Sequence, residues 1–207
     1  MEFIETNLSF NGLKNRTSTS QVILHHSASA DVPAAEIHAW HLARGWAGIG
    51  YHFVIRKNGS IERGRPLEAI GAHAGPGANG NSIGVCLSGN FMNERPTDQQ
   101  ITALVELLVW LNDYYKSDLE VKLHREVMAT ACPGTLFPGE QIQSLLAASA
   151  GPNGDGGSGE DWKNKIMAAA REAGLIEEQH HPDDPAPKWF VLAVALRAGH
   201  KGTVLLC

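Results

Sequence analysis

The chain has 207 residues, 43% of them hydrophobic and 19% charged, with a formal net charge of −5. That apolar content sustains a packed core and excludes a wholly disordered chain, and the length suits one domain plus a small module. Charge is spread as −3 over residues 1–150 and −2 over 151–207, so neither part carries the basic footprint of a nucleic-acid binder.

The start, MEFIETNLSF, is acidic and lacks a basic region followed by an apolar one, so no secretory signal is expected. Gln21–His26 (QVILHH) is an apolar run suited to a buried strand. Asp31 and Pro33 signal a helix start, continued by Ile37, Trp40 and Ala43 or Arg44 at helical spacing. Tyr51–Arg56 and Ser60–Glu62 flank Asn58-Gly59, a hairpin pattern in which the glycine supplies a positive φ. Ser82–Ser88 (SIGVCLS) reads as a second buried strand. Thr97 and Gln100 form a capping-box pattern ahead of Ile101, Leu104, Val105, Leu108 and Leu111 on one helical face. A short strand, Leu119–Leu123, ends at His124, and Pro138 opens a further helix through Ile142, Leu145 and Leu146. Strands and helices intermixed in this way predict an α/β fold, with a central, mostly buried mixed β-sheet flanked by helices.

GPNGDGGSG at 151–159 holds five glycines and no apolar side chain, and reads as a flexible linker. Domain one is placed at 1–150 and a small C-terminal helical module at 160–207, with helices around Trp162–Ala173 and Trp189–Arg197. The longest apolar run, Trp189 to Leu196, has eight residues, far short of the ~20 that span a bilayer. No membrane insertion is expected.

Chemistry concentrates in HREVMATACPG, 124–134. Imidazole and thiolate are good zinc ligands, and His124 and Cys132 lie eight residues apart across a turn at Pro133-Gly134. His25 is the candidate third ligand, because it ends a buried strand as His124 does, and the period of two sends His26 to the other face. Two histidines and one thiolate leave room for an activated water. The spacing alone equally fits a buried apolar cysteine with two hydrogen-bonding histidines. Three cysteines (Cys86, Cys132, Cys207) form no disulfide framework.

Five motifs in order carry a resemblance: LHHSAS at 24–29, IGYHFVIRKNGSIERGRP at 49–66, GAHAG at 71–75, NSIGVCLSGNF at 81–91 and HREVMATACPG. Together they resemble the zinc-dependent N-acetylmuramoyl-L-alanine amidases of the type 2 family, which include phage lysins and peptidoglycan recognition proteins. The resemblance implies Zn2+ on His25, His124 and Cys132, no organic cofactor, and bacterial peptidoglycan as the partner. It implies catalytic roles for Tyr51 and for Thr130, where some members carry lysine. The activity implied is cleavage of the amide between N-acetylmuramic acid and L-alanine, as a phage or prophage endolysin made in the host cytoplasm and acting on the wall after release.

As substrate contacts the sequence offers His73, likened to the family's groove histidine, together with Asn79, Asn81 and Trp46. Turn chemistry or packing explains the last three as well. His52 and Cys86 are expected in the core; His26, His38 and His41 have no nameable partner. The tail is similar, more loosely, to helical modules of phage amidases, and tethering such a module raises effective concentration on an insoluble wall. Alternative readings are a non-catalytic peptidoglycan-binding protein, which would typically lack the cysteine, and a cytoplasmic amidase recycling muropeptides.

Overall fold

The computed structural model describes residues 1–149. Met1–Gly139 forms one compact unit. The expected linker and C-terminal module lie outside the described residues.

The strands are β1 (Gln21–His26), β2 (Phe53–Ile55), β3 (Ile61–Arg63), β4 (Ser82–Leu87) and β5 (Glu120–Leu123). They build one sheet in the order β3-β2-β4-β1-β5. β1 is parallel to both β4 and β5, β2 is parallel to β4, and β3 alone pairs antiparallel. All residues of β1 and β4 are buried, which is why both read as continuous apolar runs rather than alternating ones. The mixed sheet with flanking helices is the expected α/β architecture.

Among the helices, α1 covers Ala34–Ala43, α2 Pro76–Asn79, α3 Asp98–Tyr115, α4 His124–Val127 and α5 Gly139–Ser149. α1 follows Pro33, which has no side-chain oxygen to cap it; the Glu62 carboxylate of β3 instead accepts from Ala34 N–H at 2.6 Å. α3 starts on the expected capping box, with Gln100 N–H donating to Thr97 Oγ1 and Thr97 N–H to Gln100 Oε1, both at 3.1 Å. Its apolar face, Ile101, Leu104, Val105, Leu108 and Leu111, is buried. No described helix is long and apolar enough to cross a membrane.

The hairpin turns at Asn58-Gly59, with Gly59 at φ +82° and Asn58 Oδ1 accepting from Ser60 N–H at 3.0 Å. The strand proper starts at Phe53, two residues later than the expected Tyr51. Tyr51 and His52 form a lead-in whose carbonyls still accept from Arg65 and Gly64 N–H. That lead-in matters for the site.

Candidate active site

The site begins with strand register. Leu24 of β1 pairs with Leu123 of β5, and because the strands are parallel the next residues, His25 and His124, emerge side by side. Their ring centroids are 4.4 Å apart. α4 then reverses the chain and Arg125 fastens the returning loop: its N–H donates to Cys132 O at 3.0 Å and its Nη1 to Gly134 O at 2.8 Å. Cys132 Sγ thereby arrives 3.8 Å from His25 Nδ1. One ligand atom from each of His25, His124 and Cys132 lies within 4.8 Å of the others, the one such cluster found among the described residues.

The charges of these groups suit a cation. Burial, reinforced by His73, His124 and His26, holds the His25 pKa well below the usual histidine value, and burial lowers His124 too. Both are neutral near pH 7 and keep a lone pair for a metal. The Cys132 thiol is pushed up to about 11 by burial, opposed by the His26 N–H at 3.5 Å and the Arg125 charge. A cation among these ligands would reverse that and favour thiolate. His124 Nε2 is shut off from solvent and has no hydrogen-bond partner among the described residues. A buried imidazole nitrogen without a partner is costly, and it belongs to a residue of the cluster a metal would fill.

Tyr51 stands beside the trio, its ring 5.0 Å from that of His25. The segment before it is held by α1, where His38 Nδ1 accepts from Ile49 N–H at 3.1 Å and His41 Nδ1 from Gly50 N–H at 2.9 Å. These are the partners that local sequence did not reveal. Burial, with the Cys86 and Cys132 thiols, pushes the Tyr51 hydroxyl well above its ordinary pKa. The phenol therefore stays protonated and is a donor. Thr130 is exposed on the returning loop, and its Oγ1 accepts from Cys132 N–H at 3.2 Å. Accepting there, the hydroxyl keeps its own hydrogen for donation.

The four expected substrate contacts are placed less uniformly. His73 is buried, 8% exposed, with its Nδ1 3.0 Å from His25 Nε2. Asn79 Oδ1 accepts from the N–H groups of His73 and Ala74 at 2.9 and 2.8 Å, so it clamps backbone. Asn81 is bonded to Gln21 and Ser20; Gln21 starts β1 and His25 lies near its far end, so Asn81 is not brought to the trio. Trp46 is 42% exposed, with its ring 4.6 Å from that of His41, at the outer end of a ring series that leads through Tyr51 to His25. His52 and Cys86 are in the core, as expected.

Local reading missed Arg125 as the loop fastener and the His26 N–H as a partner of the Cys132 sulfur. Only the place of Arg125 between two candidate ligands could have hinted at its role.

Two neutral imidazoles, a thiol and a protonated tyrosine converging at one end of a mixed sheet are groups from which a metal-assisted hydrolytic centre can be built. The chain belongs to the N-acetylmuramoyl-L-alanine amidase family, whose sequence profile matches residues 15–135. It is 41% identical over 128 residues to the endolysin of Escherichia phage T7, spanning 58% of this chain and 83% of that one. It is 34% identical over 119 residues to peptidoglycan recognition protein 1 of Bos taurus, spanning 56% and 63% of the two chains. Among solved structures it resembles the N-acetylmuramoyl-L-alanine amidase LysC from Clostridium intestinale, with TM-score 0.68 and 38% identity over 71% of this chain and 98% of that one.

Proposed function

We propose that the chain is a zinc-dependent N-acetylmuramoyl-L-alanine amidase that cleaves bacterial peptidoglycan as an endolysin. The observation that carries the zinc reading is the trio itself, one member of which, His124, has a solvent-shielded Nε2 with no partner among the described residues. His25, His124 and Cys132 would hold the metal. Bound there, zinc supplies Lewis-acid polarisation of a carbonyl and a water acidic enough to attack near neutral pH.

The protein's own groups do the rest. The two neutral imidazoles and a single thiolate would offset only one of the two charges of a bound Zn2+. Tyr51 keeps its proton and donates it as a hydrogen bond to the oxygen on which negative charge develops. Thr130, tied by Oγ1 to the Cys132 amide, offers a second neutral donor at the exposed side. The products are a free lactyl carboxylate on the sugar and a free amine on L-alanine. Residues 160–207 are assigned to holding the enzyme on the wall.

Cys132 beside both histidines favours catalysis over a purely binding role. Digestion of purified walls, scored for new alanine amines and new reducing sugar ends, tests the reading. Alanine amines that disappear with chelator and return with zinc are expected; wall binding with no such amines overturns it.

A further inference from the structure

His73 lies behind the trio, and its neighbours decide which nitrogen of His25 carries a proton. Ser82 Oγ donates its one hydrogen to Ala78 O at 2.7 Å. The same oxygen lies 3.4 Å from His73 Nε2, and with its hydrogen committed it can only accept there. In a neutral His73, Nε2 is therefore protonated and Nδ1 bears the lone pair. His25 Nε2 lies 3.0 Å from that Nδ1, so the proton between the rings belongs to His25 Nε2. The lone pair of His25 is left on Nδ1, the nitrogen 3.8 Å from Cys132 Sγ.

The His73 ring is built in, not incidental. A Cβ on Gly71 would come within 2.4 Å of His73 Cδ2, and one on Gly84 within 2.5 Å of the same atom. Two glycines from separate segments thus leave a slot that the imidazole occupies. The Asn79 side chain fixes the backbone of His73 from outside the slot. A ring held this tightly imposes its donor and acceptor pattern on its neighbour.

We infer that Ser82 and His73 are positioning residues that lock His25 in its Nε2-protonated tautomer and so present Nδ1 as the metal-binding nitrogen. The metal half of this inference rests on the zinc reading above; the tautomer half does not.

Long-range 1H–15N correlation spectra of the metal-free full chain test the tautomer directly. His25 with a protonated Nε2 and an unprotonated Nδ1 is expected, and the reverse assignment overturns the inference. Competition titrations with zinc then compare the wild type with His73→Leu, His73→Asn and Ser82→Ala. Loss of the acceptor in His73→Leu should weaken zinc binding by about 10–100-fold. His73→Asn, whose Oδ1 can stand where Nδ1 stood, should retain most of the affinity. Equal zinc affinity in His73→Leu and the wild type overturns the positioning role. If His73→Leu fails to fold, Ser82→Ala decides, since it keeps the ring and removes the hydroxyl that orders it. A mixed His25 tautomer is expected there, and an unchanged one overturns the part assigned to Ser82. A wild type that takes up no zinc defeats the metal reading instead, while the spectra still judge the tautomer.

Discussion

His25 and His124 lie 99 residues apart along the chain, yet their rings are 4.4 Å apart because Leu24 and Leu123 are register partners on parallel strands. A slip of one residue would turn one imidazole to the opposite face. The centre is thus a consequence of β1–β5 pairing, and the variants below probe the groups that complete it.

Replacing Tyr51 by Phe removes the protonated donor and leaves the ring contact with His25. Turnover of muropeptides should fall by about 10²–10³-fold, the scale of losing one oxyanion donor. Zinc content, measured by atomic absorption, should stay that of the wild type. Undiminished turnover would exclude the hydroxyl from catalysis.

Arg125→Met cuts the bond from Nη1 to Gly134 O while leaving the three candidate ligands in place. Stability should drop by about 1 kcal/mol, and zinc affinity by about tenfold or more as the Cys132 loop loosens. Denaturant titration and chelator competition read the two effects separately. An unaltered zinc affinity would mean the loop holds its shape without the guanidinium.

Gly84→Ala places a methyl group 2.5 Å from His73 Cδ2. With Gly71 closing the other approach, the ring cannot step aside, and the change should cost about 1–3 kcal/mol as an overpacked core does. A midpoint of thermal unfolding equal to the wild type would show that the slot has slack.

Acid should destabilise the metal-free protein through its buried histidines. Burial lowers His52 to about 3 and His41 to about 4, against 6.5 for a free histidine. Below pH 6.5 the unfolded chain takes up protons that the folded chain refuses, so folding loses free energy as pH falls. This contribution is fully present above about pH 6.5 and is lost on descending through 4 and 3, at up to about 1.4 kcal/mol per pH unit for His52. Urea midpoints measured in chelator from pH 7 to pH 4 should decline steadily. A flat profile would mean these rings are not held neutral.

Much of this protein can be read locally. The buried runs of β1 and β4, the Asn-Gly hairpin and the Thr97–Gln100 box are short-range signals, because burial on both faces, a positive φ and a helix N-terminus each constrain a few consecutive residues. The candidate ligands were legible for a similar reason, since two histidines at strand ends and a cysteine before Pro-Gly are local marks.

What those marks could not convey is how the groups are held. His73 is a neighbour of His25 because Gly71 and Gly84 vacate the same volume, and its proton is placed by Ser82, which precedes Gly84 on β4. His38 and His41 brace the approach to Tyr51 through backbone amides that no side-chain pattern marks. Asn81, close to His73 in sequence, ends at the other end of β1. Such pairings arise only when the sheet has set its register, because hydrogen-bond direction and steric exclusion depend on distances in space that separation along the chain does not encode.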